Sequence, residues 1–197
     1  MLTLEEIKKI RILSIKRKIP LHLDGARLFN ASVATGIPIS EYGKYFDSVS
    51  ICFSKGLGAP VGSVLSGGKE FIKKARHYRK VFGGGMRQAG ILASACLFAL
   101  ENNVKRLKED HDNATLLAQE IKDLSGLYID LKQVETNILM IYVRHSKYTS
   151  NSLVEKLHEE GVASLAIDNQ RIRVVTHLNI SRDDIIQTAN IFKKILG

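Results

Sequence analysis

The hydrophobic and polar positions of the first half of the chain alternate between helical and strand periodicity. Thr3 and Glu6 have the spacing of a capping box, and the apolar positions after them predict a helix over Leu4–Arg17. Short apolar runs predict three strands, at residues 19–23, 48–53 and 61–65. Two longer helical patterns follow, at residues 69–81 and 88–124. The second is expected to bend near Asn102 and Asn103.

The passage between the first two strands runs through Gly36 and Pro38 without clear periodicity, so we expect it to be irregular. Beyond Gly126 the pattern changes to short elements. It predicts strands at 128–131, 137–143, 163–167 and 171–176, and helices at 151–160 and from Ser181 onward. This order indicates a small α+β domain with two helices against one face of a sheet. The predicted organisation is a partial large domain with a long connecting helix over 1–125 and a small domain over 126–197.

Composition narrows the class of protein. A chain of 197 residues with 45% hydrophobic and 25% charged residues is typical of a globular protein. The net charge of +9 comes largely from lysines and arginines on helical patterns, and no aromatic-rich strand accompanies them, which disfavours nucleic-acid binding. No apolar run is long enough to span a bilayer and no signal peptide is visible, so we expect a cytoplasmic protein. Cys52 and Cys96 lie among apolar residues, which predicts core thiols rather than a disulfide or a zinc site.

A lysine at the end of a predicted strand is the first candidate for chemistry. In DSVSICFSKGLGAP, Lys55 follows the strand and precedes a turn that contains Gly56, Gly58 and Pro60. A phosphate loop of the Walker type needs its lysine after the last glycine, and a dinucleotide fingerprint needs a helix where this sequence predicts a strand. The remaining interpretation is a lysine that forms a Schiff base with pyridoxal phosphate. A surface lysine stays open as the structural alternative.

That interpretation requires a carboxylate beside the pyridinium nitrogen of the cofactor. In LHLDGARLFNA, Asp24 ends an apolar strand, and an anion at this place would keep the ring nitrogen protonated. Arg27 lies three residues further on, and its planar guanidinium suits a carboxylate or phosphate. An Asp-Gly pair after a strand is also a common turn, so the residues alone leave both interpretations open.

Four sequence blocks carry a resemblance to a known family. HLDGARLFNA, DSVSICFSKGLGAPVGSVL, GGGMRQAG and RIRVVTHLNIS resemble, in that order, the low-specificity L-threonine aldolases. These enzymes belong to fold type I, the aspartate-aminotransferase-like pyridoxal-phosphate enzymes, so the resemblance implies an α/β fold of that type. The resemblance covers nearly the whole chain.

The resemblance also implies roles for particular residues. Lys55 matches the lysine that binds the cofactor, and Asp24 matches the aspartate that contacts the ring nitrogen. Arg27 matches an arginine that helps to hold the cofactor and the substrate carboxylate. Arg173 matches a second arginine for that carboxylate, with Arg171 as the alternative on the same strand face. Further matches are Lys80 and Arg87 near the cofactor phosphate, at a possible subunit interface, whereas His22 and His177 are read as structural.

The implied reaction is the cleavage of L-threonine or L-allo-threonine to glycine and acetaldehyde, with no metal. The chain begins one helix before the block that contains Asp24, so it resembles the C-terminal portion of such an enzyme. We therefore expect activity to need the N-terminal portion, and we expect either a homo-oligomer, dimeric or tetrameric, or a complementing N-terminal chain. The alternatives are an inactive relic and another fold type I reaction, transamination or β-elimination.

Overall fold

A computed structural model describes residues 1–197 of the chain. The chain forms two compact units, Met1–Lys105 and Arg106–Gly197. No helix in either unit combines the length and the apolar character that crossing a bilayer requires.

The first unit begins with the helix that the capping box predicts. Helix α1 spans Leu4–Arg17, the backbone amide of Thr3 donates to Glu6 Oε2 at 2.7 Å, and the backbone amide of Glu6 donates back to the Thr3 hydroxyl at 3.3 Å. The helix ends at Lys18 in a left-handed conformation, and the amide of Ile19 donates to the Ser14 carbonyl. Because residues 18 and 19 complete this helix end, the first strand starts at His22 rather than at the predicted residue 19.

A three-stranded sheet follows. The elements after α1 are β1 (His22–Asp24), α2 (Leu28–Thr35), α3 (Ile39–Gly43), β2 (Ser48–Cys52), β3 (Ser63–Gly67), α4 (Lys69–Val81) and α5 (Gly90–Asn102). The strand order is β1-β2-β3, with β1 parallel to β2 and β3 antiparallel to β2. One face of the sheet packs on a small core made of Ile7, Leu28, Tyr42 and Val49.

One expectation for this unit was wrong, because the passage expected to be irregular contains α2 and α3. The pattern over 88–124 forms two helices rather than one bent helix, but the break lies where the bend was expected, since α5 ends at Asn102 and the next helix starts at Leu107. Helix α2 has no side-chain hydrogen bond at its N-cap, Arg27, so it lacks the capping signal by which helix starts are recognised in a sequence. Burial of Leu28 against the sheet holds it instead.

The second unit is a sheet covered on one face by helices. Its elements are α6 (Leu107–Ile121), β4 (Leu127–Tyr128), a 3₁₀ turn (Leu131–Gln133), β5 (Ile138–Val143), α7 (Ser150–Glu159), β6 (Leu165–Asp168), β7 (Arg171–Val175) and α8 (Arg182–Leu196). The four strands are antiparallel in the order β4-β5-β7-β6. Helix α6 packs on α8 and β5, so the compact units divide after Lys105, whereas the sequence placed the domain boundary at 125/126.

Fifteen buried apolar residues form the core of this unit. Alternate residues of β5 and β7, such as Leu139, Ile141, Ile172 and Val174, point into it. The intervening residues lie on the opposite face of the sheet and are partly exposed. Both candidate carboxylate-binding arginines of β7 are on that opposite face.

Candidate active site

A loop anchored by hydrogen bonds presents Lys55 to solvent. The loop leaves β2 and returns to β3 through two backbone hydrogen bonds, from Phe53 to the Gly62 carbonyl at 2.9 Å and from Ala59 to the Phe53 carbonyl at 3.0 Å. Leu57 at its centre is buried, and its carbonyl accepts a hydrogen bond from the Asn103 side chain at 2.7 Å. With its apolar residues buried on both sides, the loop leaves Lys55 exposed just beyond the carboxyl end of β2.

Asp24 lies at the same edge of the sheet. It is the last residue of β1, which pairs in parallel with β2 in a register that sets Asp24 beside Ser50. The next amide, that of Gly25, donates to the Ser50 carbonyl at 2.8 Å, and the amide of Ala26 donates to Asp24 Oδ1 at 3.2 Å. Because parallel strands end at one edge, the Asp24 carboxylate and the Lys55 loop share the place where α/β proteins bind ligands.

His22 has a structural partner, in line with its structural interpretation. Its Nδ1 lies 2.8 Å from the Ser48 hydroxyl, and its Nε2 lies 3.5 Å from the Ser50 hydroxyl. His22 and Asp24 are two residues apart on one strand and therefore share a face of the sheet. The imidazole thus ties β1 to β2 directly below Asp24.

Arg27 is partly buried at the turn between β1 and α2. A cavity of about 420 Å³ opens beside this turn, and Asp24, Gly25 and Arg27 line it together with apolar side chains that include Leu28 and Tyr42. An acidic and a basic residue therefore belong to the lining of a mainly apolar cavity in the first unit.

Lys80 and Arg87 lie elsewhere in the first unit. Lys80 is in the last turn of α4, and Arg87 is in the segment that joins α4 to α5. Both side chains are exposed and neither makes an ion pair within the chain. They remain available to an anion, but no contact within this chain joins them to Asp24 or to the Lys55 loop.

The second unit distinguishes the two arginines of β7. The Nε and Nη2 atoms of Arg171 both lie 2.7 Å from Asp168 Oδ2, so its guanidinium is paired within the chain. The Nε of Arg173 is buried and has no hydrogen-bond partner. Asp168 itself was missed by sequence reasoning. The sequence did contain a signal for the ion pair, because Asp168 lies three residues before Arg171 and the Asn169-Gln170 turn separates them.

The chain belongs to the beta-eliminating lyase family, which matches residues 1–146. Relatives with more than 40% sequence identity include low-specificity L-threonine aldolases. The chain is 41% identical over 196 residues to low-specificity L-threonine aldolase 1 of Arabidopsis thaliana, which covers 99% of this chain and 55% of that protein. It is 42% identical over 193 residues to the low specificity L-threonine aldolase of Escherichia coli, covering 98% and 56%. The resemblance drawn from the four sequence blocks is thereby confirmed.

Solved structures confirm the fold. A threonine aldolase of Leishmania major superposes with a TM-score of 0.77 at 18% identity, covering 98% of this chain and 56% of that one. An ornithine delta-aminotransferase of Plasmodium falciparum superposes with a TM-score of 0.66 at 14% identity, covering 98% and 50%. The architecture is therefore that of the fold type I pyridoxal-phosphate enzymes. The chain spans about half the length of the curated relatives it matches.

Proposed function

We propose that this chain supplies the lysine-bearing part of a pyridoxal-phosphate enzyme that cleaves L-threonine or L-allo-threonine to glycine and acetaldehyde. One observation carries the proposal. Lys55 is exposed on a loop anchored by buried neighbours, at the same carboxyl edge of the β1–β2 pair as Asp24. The similarity of the chain to low-specificity L-threonine aldolases of Arabidopsis thaliana and Escherichia coli supports the reaction.

The residues present suit pyridoxal phosphate chemically. An exposed amine at Lys55 can bind an aldehyde, and a carboxylate at Asp24 can pair with a protonated pyridine nitrogen. Arg27 adds a guanidinium beside that carboxylate, at a cavity whose apolar lining suits an aromatic ring. For the cofactor phosphate, Lys80 and Arg87 are unpaired cations and we assign them to it.

In the proposed reaction each side chain has one task. When bound, the cofactor supplies an electron sink for the charge that develops as the Cα–Cβ bond of the substrate breaks. Lys55 holds the cofactor through its amine. Asp24 stabilises the proton on the ring nitrogen, because a carboxylate beside it favours the charged form. Arg27 and Arg173 orient the substrate carboxylate, for which Arg173 is the better candidate since Arg171 is paired with Asp168.

Association with further polypeptide is part of the proposal. Helices α4 and α5 and the segment between them leave large apolar side chains exposed, among them Phe82 at 83% and Ile91 at 81%. Exposed apolar surface of this extent is typical of a protein interface. We propose a cytoplasmic homo-oligomer in which the portion of the fold that the longer relatives possess is also required for activity. Light scattering of the purified chain, alone and with the N-terminal portion of a relative, tests this arrangement.

The test of the site is reductive labelling. The chain is incubated with pyridoxal phosphate and borohydride, and its peptides are mapped by mass spectrometry. We expect the label on Lys55 and its loss in Lys55→Ala. Lys69→Ala serves as the matched control because Lys69 is also exposed and carries no ion pair. Labelling that persists undiminished in Lys55→Ala would refute the assignment.

Substrate assays separate the reaction from its alternatives. With the N-terminal portion of a relative added, threonine should yield acetaldehyde, and this yield should disappear in Lys55→Ala. Turnover of alanine or cysteine in preference to threonine would instead indicate transamination or β-elimination, which use the same lysine and aspartate.

A further inference from the structure

The two arginines of β7 are equivalent in strand position and different in surroundings. Arg171 and Arg173 are two residues apart on the face of the sheet opposite the core, so their Cα atoms are separated by about 7 Å. At that spacing the two guanidinium groups could hold the two carboxylates of one dicarboxylic amino acid. The cross-strand neighbours determine whether both are free to do so.

Polar neighbours surround Arg171. On β6 it is paired with Asp168, and on β5 with Tyr142. Asp168 Oδ2 accepts a hydrogen bond from Arg171 Nε and forms an ion pair with Nη2, and Asp168 Oδ1 accepts from the backbone amide of Gln170 at 3.0 Å. These hydrogen bonds lower the pKa of Asp168, the Gln170 amide contributing most and Arg171 next, so the carboxylate is ionised at neutral pH.

Apolar neighbours surround Arg173. Its cross-strand partners are Met140 on β5 and Leu165 on β6, and neither side chain can accept a strong hydrogen bond. Arg173 Nε is buried without a partner within the chain. A buried donor of this kind is costly unless a ligand completes it. Of the two arginines, Arg173 is therefore the one that has no carboxylate partner within the chain.

We propose that Asp168 is a specificity-determining residue that restricts this strand to one substrate carboxylate. By pairing with Arg171, Asp168 removes the second cationic site and places a negative charge where a second carboxylate would bind. The substrate class is then neutral, monocarboxylic amino acids, and acidic amino acids gain nothing from Arg171. This inference rests on the proposed function, in which Arg173 binds the substrate carboxylate, and Asp168 acts through Arg171 without touching the substrate.

The test uses the Nε–H signals of the arginines in proton–nitrogen NMR spectra of the whole chain, titrated with L-threonine and with L-aspartate. In the wild type both amino acids should shift the Arg173 signal and leave the Arg171 signal in place. In Asp168→Asn, aspartate should also shift the Arg171 signal. The affinity for aspartate relative to threonine should rise by about threefold to tenfold, because a released guanidinium on a partly exposed strand gains a charge-assisted pair. Asparagine can still accept from the Gln170 amide, which preserves the turn.

Two controls make the result specific. Glu120→Gln removes an equal charge from an ion pair with Lys193 on the helical side of the unit, and it should leave the affinity ratio unchanged. In the double variant Asp168→Asn, Arg171→Gln the gain should vanish. If Asp168→Asn leaves the affinity ratio of aspartate to threonine unaltered, or if Glu120→Gln alters it equally, the role of Asp168 is overturned and the proposed function is not affected. An Arg173 signal that responds to neither amino acid in the wild type would overturn the carboxylate role of Arg173 as well.

Discussion

The two units of this chain differ in how many apolar side chains they bury. In the second unit, three helices cover one face of a four-stranded sheet and close a core of fifteen buried residues. In the first unit eight apolar residues are buried, four of them in one cluster, and the helices α4 and α5 bury little more than Ala99. The units have similar lengths, so length does not explain the contrast.

The contrast indicates how stability is divided between the units that carry the proposed site. Burial of apolar side chains is the dominant favourable contribution to folding, so the second unit should carry most of the stability that this chain generates by itself. The first unit holds Lys55 and Asp24 on a small sheet whose surroundings are largely exposed. The lysine and the aspartate of the proposed site thus belong to the unit that depends more on further packing partners, whereas Arg173 belongs to the more stable one.

The largest expected effect is a loss of stability on substitution of a phenylalanine in the second unit but not in the first. Phe192→Ala removes a fully buried ring from the core of the second unit and should lower its free energy of unfolding by about 3–5 kcal/mol. Phe82→Ala removes a ring that is 83% exposed in the single chain, and at a concentration where light scattering shows no association it should change stability by no more than about 0.5 kcal/mol. Amide hydrogen exchange measured on peptides of each unit gives both values. Comparable losses from the two substitutions would break the comparison, because they would show that Phe82 is covered in solution.

A smaller effect is expected at the strand pair that holds the site. A Cβ at Gly25 would lie 2.8 Å from the Ser50 carbonyl oxygen, which is backbone and cannot move without separating β1 from β2. Gly25→Ala should therefore cost about 1–3 kcal/mol, and the loss of exchange protection should be confined to the first unit. The matched control is Gly43→Ala, where a Cβ meets nothing within 4 Å and stability should hold. Protection lost equally in the second unit would show that the two units unfold together.

The smallest expected effect is a pH dependence in the second unit. Burial lowers the pKa of His111, although the neighbouring Asp110 opposes the shift. The unfolded chain then takes up the proton first, so stability present above the ordinary histidine pKa of about 6.5 is lost as the pH falls through it. Burial also raises the pKa of Asp110, despite its ion pair with Arg106, and this shift acts in the opposite direction at lower pH.

His111→Gln should accordingly reduce the change in urea midpoint between pH 7 and pH 5. His158→Gln provides the control, since His158 is exposed on α7. An unchanged pH dependence in His111→Gln would mean that the buried imidazole does not govern the acid sensitivity of the second unit.

Much of the local structure was predictable from short-range pattern. The capping box of Thr3 and Glu6 and the full extent of α4, Lys69–Val81, follow from residues a few positions apart. The Lys55 loop was predictable because its glycines favour a tight turn between two strands. Gly58 and Gly62 adopt positive φ values of 70° and 115°. Helix α2 was not predictable in this way, because packing rather than a cap holds it.

By itself, then, the sequence determined most of the elements, with α2 and α3 as exceptions, and the identity of the candidate lysine and aspartate. These depend on periodicity and on neighbours three or four residues apart. Tertiary structure decided that α6 joins the second unit, that Arg171 pairs with Asp168 and that the Nε of Arg173 has no partner within the chain. Met140 and Leu165 are the cross-strand neighbours of Arg173, and they lie beside it only because of the strand register. Register is a long-range property, because it is fixed by which faces are buried when distant segments meet.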